Sequence, residues 1–156
     1  MAIPLTIRQY LDQHKIDYEV LPHPYSLNSM TTAQVAGISG EKIAKSVLLE
    51  DEGGYLMAVL PATHRIHFGQ LHHLLKRQLG MATEPELAAL FKDCDAGAVP
   101  AIGQAYGLNV VMDDCLCDRS DIYFESGDHE DLIHVRGDEF EQLMRGAQHG
   151  EFSRHI

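Results

Sequence analysis

Apolar residues at helical spacing alternate along this chain with short runs dense in Val, Ile, Leu and Tyr. Ile7, Tyr10, Leu11 and His14 recur three and four apart, and Thr6 with Gln9 has the form of a capping box. A first helix is expected over 6–14. Tyr18-Glu19-Val20-Leu21 reads as a short strand. Pro22-His23-Pro24 should end it, because proline brings no N–H to a ladder. Thr31 with Gln34 forms a second possible capping box, opening a short helix that Gly37 can close. Two strands follow, Ala44 to Leu49 and Tyr55 to Leu60. Their connector, Glu50-Asp51-Glu52-Gly53-Gly54, supplies glycines for positive φ, so the pair reads as a hairpin.

Phe68, Leu71, His72, Leu75 and Leu79 repeat at helical spacing, with Gly80 as the stop. Thr83 with Glu86 is a third capping box and predicts a helix through Phe91. Leu108 to Met112, Asp121 to Phe124 and Leu132 to Val135 read as strands. Asp138 then caps a last helix that buries Phe140, Leu143 and Met144. Strands and helices interleave, but hairpins occur as well. An α+β fold with a mixed sheet fits better than a doubly wound parallel sheet.

The length of 156 residues suits one domain over 1–156, and 45% hydrophobic residues suffice for a normal core. No linker or internal repeat divides the chain. Met1-Ala2-Ile3-Pro4-Leu5 lacks the basic and apolar regions of a signal peptide, and no apolar run reaches membrane-spanning length. Cys94, Cys115 and Cys117 make a poor disulfide framework, so a reducing, cytoplasmic setting is expected. The net charge of −11 argues against a broad, non-specific grip on nucleic acid. It leaves room for a small site that holds only an RNA end.

Lys45 changes the picture most. It opens the apolar run Val47-Leu48-Leu49, in Glu41-Lys42-Ile43-Ala44-Lys45-Ser46. Charges are seldom buried unless paired or used, so an ammonium at the head of a core strand points to the rim of a pocket. A lysine snorkelling at a strand end is the alternative. The second unusual segment is Gly97-Ala98-Val99-Pro100-Ala101-Ile102-Gly103. Small side chains let a backbone approach a ligand, and such a loop can turn its amides toward a carbonyl or phosphate oxygen. An ordinary bend between core strands would look the same.

Histidines offer a rival chemistry. His64, His67, His72 and His73 lie close in sequence, but His67 and His72 are five apart and would not share a helix face. Cys115-x-Cys117 is too tight for a usual zinc knuckle. No metal and no cofactor are expected. Cys94 with a remote histidine has no local pattern behind it, and Ser126-Gly127-Asp128-His129 is no evidence of a triad, which is defined by geometry.

Four segments, in order, resemble the YbaK/EbsC family, the aminoacyl-tRNA editing domain related to the insertion domain of bacterial prolyl-tRNA synthetases. They are Ser29-Met30-Thr31-Thr32-Ala33-Gln34-Val35-Ala36, the lysine-led strand 42–49, the Gly97 to Gly103 loop, and Gly127-Asp128-His129-Glu130-Asp131-Leu132-Ile133-His134-Val135. The resemblance covers nearly the whole chain. It implies a mixed, strongly curved, barrel-like sheet with helices packed around it. It also implies an aminoacyl-tRNA deacylase that clears mischarged tRNA in trans, without metal or cofactor. The family's essential lysine falls on Lys45 and its loop glycine on Gly97. Ser46, Ala98, Val99, Pro100, Ile102 and His129 then fall near the substrate, with His129 matching the alanine-removing branch.

Three features depart from the family pattern. Ser46 replaces a common asparagine, Ala101-Ile102 replaces the usual loop ending, and Leu132 stands about where cysteine-removing members carry aspartate. The implied partner is the acceptor end of an aminoacyl-tRNA, with a synthetase or elongation factor as a possible aid and no membrane. The alternative is a non-catalytic module that binds aminoacyl-tRNA, a nucleotide or a synthetase.

Overall fold

The computed structural model describes residues 3–26, 28–95 and 97–156. Its centre is the hairpin of β2 (Ala44–Asp51) and β3 (Gly54–Pro61), paired antiparallel from Ala44↔Pro61 to Asp51↔Gly54. Gly54, at φ +125°, takes the turn that a side chain would strain. β3 pairs on its other side with β6 (Asn109–Asp113), in parallel. Short strands complete this five-stranded sheet. β5 (Gly80–Met81) lies beside β2, and β9 (Gln148–Gly150) lies beside β6. β1 (Glu19–Pro22), β8 (Asp131–Arg136) and β7 (Asp121–Glu125) form a second, antiparallel sheet in the order β1-β8-β7. β4 (His64–Ile66) and β10 (Ser153–His155) pair separately.

Leu56 to Pro61 of β3 are all buried, because both faces of this strand are covered. Met57 and Val59 join the larger core with Ile102, Phe124, Ile133 and Phe140. Leu56, Ala58 and Leu60 join a second core with Leu71, Leu79 and Phe152. Each such side chain taken fully from water contributes about 1.5–3 kcal/mol. The helices α1 (Leu5–Gln13), α4 (Glu84–Leu90) and α5 (Gly137–Leu143) add Ile7, Leu11, Leu87, Leu90, Phe140 and Leu143 to the larger core. α3 (Phe68–Leu75) adds Phe68, Leu71 and Leu75 to the second. A third cluster, with Ala33 from α2 (Ser29–Ala36), Ile43, Ala62 and Leu132, joins the two larger sheets. There Ile43 bridges Tyr123 in parallel.

The mixed α+β class is as expected, but the barrel-like curvature is not. No sheet among the described residues closes. The five-stranded sheet ends in the two-residue β5 on one side and the three-residue β9 on the other.

Local signals fared unevenly. The Thr83 capping box of α4 is present in full, with Thr83 Oγ1 accepting from Glu86 N–H and the Glu86 carboxylate accepting from Thr83 N–H. The proposed boxes at Thr6 and Thr31 are not formed. α1 starts one residue early behind Pro4, whose fixed φ suits a helix entry. Asn28 caps α2, its Oδ1 accepting from Thr31 N–H at 2.8 Å. α3 stops at Lys76, in the left-handed region at φ +55°, before Gly80 is reached. α5 has Arg136 at its N-cap and carries Asp138 in its first turn. β1 runs through Pro22, which an outer strand tolerates.

Candidate functional site

The outer edge of β2 is only partly covered. β5 pairs with Leu49 and Glu50, and Tyr123 bridges Ile43. Between these points, Ala44 through Leu48 form one wall of a cavity of about 420 Å³. Because five consecutive residues line it, the backbone edge of the strand faces the cavity, and not one side-chain face alone. Asn28 and Met30 of the α2 entry, Met81, Leu87, Gly97, Val99 and Glu125 complete much of the rest.

Lys45 belongs to this wall. It is half-buried, and its Nζ reaches the Ala62 carbonyl oxygen at 3.4 Å. No carboxylate pairs with it among the described residues. Burial holds its pKa below the usual lysine value. Ser46 donates its hydroxyl proton to the Val99 carbonyl at 3.0 Å. That bond ties the strand edge to the glycine loop. Gly97 lines the cavity at φ +80°, a conformation that disfavours any side chain.

The other sequence-selected residues lie deeper. Ala98 is fully buried, and its N–H donates to the Asp95 carbonyl at 3.1 Å. Pro100, in the same loop, is buried. Ile102 is fully buried in the larger core. None of these three is in the cavity lining, and neither is His129. His129 is 3% exposed, at φ +62°, with its ring centroid 5.5 Å from that of Tyr25. The structure thus gathers Lys45, Ser46, Gly97 and Val99 at one cavity, and leaves Ala98, Pro100, Ile102 and His129 outside its lining.

Glu125 is the residue that sequence reasoning missed. It ends β7, lines the cavity and is only 5% exposed. Thr32 Oγ1 donates to its Oε1 at 3.0 Å, and Ser26 in turn bonds Thr32. Oε2 is buried and has no hydrogen-bond partner among the described residues. Burial raises the pKa of this carboxyl, against the hydrogen bond from Thr32. The signal was available as an acidic residue closing an apolar strand, the mirror of Lys45 opening one. It was hidden by the polar run Glu125-Ser126-Gly127-Asp128-His129-Glu130-Asp131, which reads as a loop.

That loop is held by Asp128. Its Oδ1 accepts from Ser126 Oγ, Glu130 N–H and Asp131 N–H, each at 3.0 Å. Burial works to raise the Asp128 pKa, but these bonds outweigh it and hold the group low. Burial and the neighbouring Asp128 push Asp131 up. The Ser126 hydroxyl is therefore spent on Asp128.

The rival residues have structural work. His67 caps α3 by accepting from Gln70 N–H at 3.1 Å, His72 Nε2 accepts from Leu79 N–H at 3.1 Å, and His64 Nδ1 meets Ser153 Oγ at 2.9 Å. Burial pushes the Cys94 thiol up to about 12, so little thiolate is present at neutral pH.

The site is thus a cavity bounded by a strand lysine with no carboxylate partner among the described residues and by a tight glycine turn. The aminoacyl-tRNA editing domain family model matches residues 23–143, and the chain belongs to that family. No curated protein sequence matches the chain. Among solved structures, a candidate trans-editing enzyme for prolyl-tRNA synthetase shares the fold at TM-score 0.85 and 22% identity, over 99% of this chain and 98% of the other. The hypothetical protein APE2540 gives 0.84 and 19%, over 96% and 99%. A candidate signal transduction protein from Marinobacter aquaeolei VT8 gives 0.79 and 21%, over 97% of this chain but only 31% of that one. No helix among the described residues is long and apolar enough to cross a membrane.

Proposed function

We propose that this protein is an aminoacyl-tRNA deacylase that hydrolyses mischarged tRNA in trans, with alanyl or another small aminoacyl ester of tRNA for proline as its substrate. The carrying observation is Lys45, a half-buried cation with no carboxylate partner among the described residues, in the wall of a cavity of about 420 Å³. A protein that keeps such a group has a use for it.

The ester of an aminoacyl-tRNA is already activated. A catalyst has to hold it, exclude stray geometries and stabilise the oxyanion that forms when water attacks. Lys45 supplies positive charge near the ester or the terminal phosphate. The turn at Gly97 brings backbone close to the carbonyl. Ser46 keeps that loop against the strand, and its lone pairs remain free to accept a hydrogen bond. The ribose hydroxyl next to the ester helps orient water. With a net charge of −11, the protein grips the acceptor end and leaves the tRNA body to a synthetase or elongation factor in the cytoplasm.

The test is a deacylation panel with alanyl, cysteinyl, seryl and prolyl esters of one tRNA. Cleavage of at least one ester, abolished in Lys45→Ala, is the expected result. Binding without cleavage of any ester would favour a non-catalytic module and overturn the reading. Prolyl ester cleaved as fast as alanyl would overturn the small-residue preference alone.

A further inference from the structure

Lys45 and Glu125 line the same cavity and do not pair with each other. Lys45 has one long contact, to a carbonyl oxygen. Glu125 has one oxygen bound to Thr32 and the other buried without a hydrogen bond among the described residues. Buried charges are ordinarily paired, because an uncompensated one costs several kcal/mol of desolvation. Neither group has an ion-pair partner of full opposite charge among the described residues, although the imidazoles of His23 and His129 lie near enough to Glu125 to favour its ionised form. Two opposite charges set apart in one cavity suit a ligand that is itself dipolar. Such a ligand carries a cation toward the carboxylate and an electron-rich group toward the ammonium.

The protein holds Glu125 ready for that role. The Ser26–Thr32–Glu125 chain fixes the carboxylate from behind, and Thr32 is fully buried. Thr32 is itself anchored, because the Asn28 carbonyl oxygen also lies 3.0 Å from its Oγ1 and shares its single proton with Glu125. Asn28 also caps α2 and lines the cavity, so one short segment sets both the cavity rim and the orientation of the carboxylate. Preorganisation of this kind lowers the cost of binding.

We propose that Glu125 receives the free α-ammonium of the aminoacyl group, so that the cavity accepts aminoacyl esters with an unblocked amino group and rejects N-acylated ones. This rests on the deacylase reading and narrows its substrate class. Esters whose amino group is formylated or already in a peptide bond carry no cation. They would leave the carboxylate unpaired and add bulk beside it.

The experiment compares alanyl-tRNA with N-acetyl-alanyl-tRNA, on wild type and on Glu125→Gln. Glutamine keeps the shape and an oxygen for Thr32 but not the charge. Wild type is expected to cleave the N-acetyl ester at least about tenfold more slowly, the scale of one hydrogen bond to a charged group. Glu125→Gln is expected to lose about tenfold on alanyl-tRNA, bringing the two esters within about threefold of each other. Equal cleavage of both esters by wild type would overturn the proposal and leave the deacylase reading standing. Undiminished discrimination in the variant would do the same.

A second readout needs no turnover and no variant. The probes are 3′-deoxy-3′-(alanylamino)adenosine and its N-acetyl form, titrated against wild-type protein. Tighter binding of the free amine supports the proposal even if no ester is cleaved. Equal binding, or none, overturns it.

Discussion

Replacing Lys45 by methionine separates chemistry from folding. Methionine keeps most of the apolar stem and removes the ammonium. Among the described residues, the side-chain bond lost is the 3.4 Å contact to the Ala62 carbonyl. Rate should suffer far more than stability. Loss of one preorganised donor at a developing oxyanion costs about 10²–10³ in rate, or about 2.7–4 kcal/mol of barrier.

Stability should hold or rise, and the sign follows from linkage. Burial lowers the Lys45 pKa from its ordinary 10.5. The folded state therefore binds that proton less well than the unfolded state does. The charged group costs stability at every pH below its folded pKa. The cost fades as pH rises through the folded pKa toward 10.5. At pH about 7 the variant should match or exceed wild type in Tm, with a gain of about 1 kcal/mol showing as about 2–4 °C. The gap should close in alkaline buffer. Single-turnover deacylation and thermal unfolding on the same samples give both numbers. Cleavage within about threefold of wild type, less than 1 kcal/mol of barrier, would remove Lys45 from the mechanism.

Three further outcomes follow from named contacts. Gly97→Ala forces a side chain to φ +80° at a strain of about 1–2 kcal/mol and should slow deacylation, whereas Gly107→Ala, at φ +74° with open space around it and outside the cavity lining, should not. Ile102→Ala should cost about 2–5 kcal/mol of unfolding free energy, read from denaturant melts, yet leave the alanyl-to-prolyl rate ratio unchanged, since Ile102 packs in the core and not in the cavity wall. Asp113→Ala should cost about 3 kcal/mol or more, because the fully buried carboxylate accepts from Cys115 N–H, Phe152 N–H, Ser153 N–H and Ser153 Oγ. Burial works to raise the Asp113 pKa, but these bonds hold it low. The difference from wild type should therefore be full at neutral pH and shrink as pH falls through the folded-state pKa.

The β2–β3 hairpin was legible because a glycine pair and two apolar runs are local signals. The α4 capping box was legible for the same reason. β4, β5, β9 and β10 were not. Strands of two or three residues carry no periodicity, and their partners lie far along the chain. Lys45 stood out as a charge opening an apolar strand. Glu125 did not, because its burial is decided by α2 packing over the end of β7 through Thr32. Ile102 looked like a pocket residue by its place in the loop. Burial cannot be read from loop position, and here the larger core claimed it.

The uncovered stretch of β2 has a consequence outside catalysis. A bare strand edge is a template on which another chain can add a strand, and proteins commonly guard such edges with lysine or with shape. Here the edge between the Tyr123 bridge and β5 is recessed in a cavity, with Lys45 on it. The same ammonium that would polarise an ester also keeps an intruding strand out, since pairing there would have to bury it. Selection for solubility and selection for activity thus fall on one side chain, and Lys45→Met protein, however stable as a monomer, should self-associate more readily than wild type in concentrated solution.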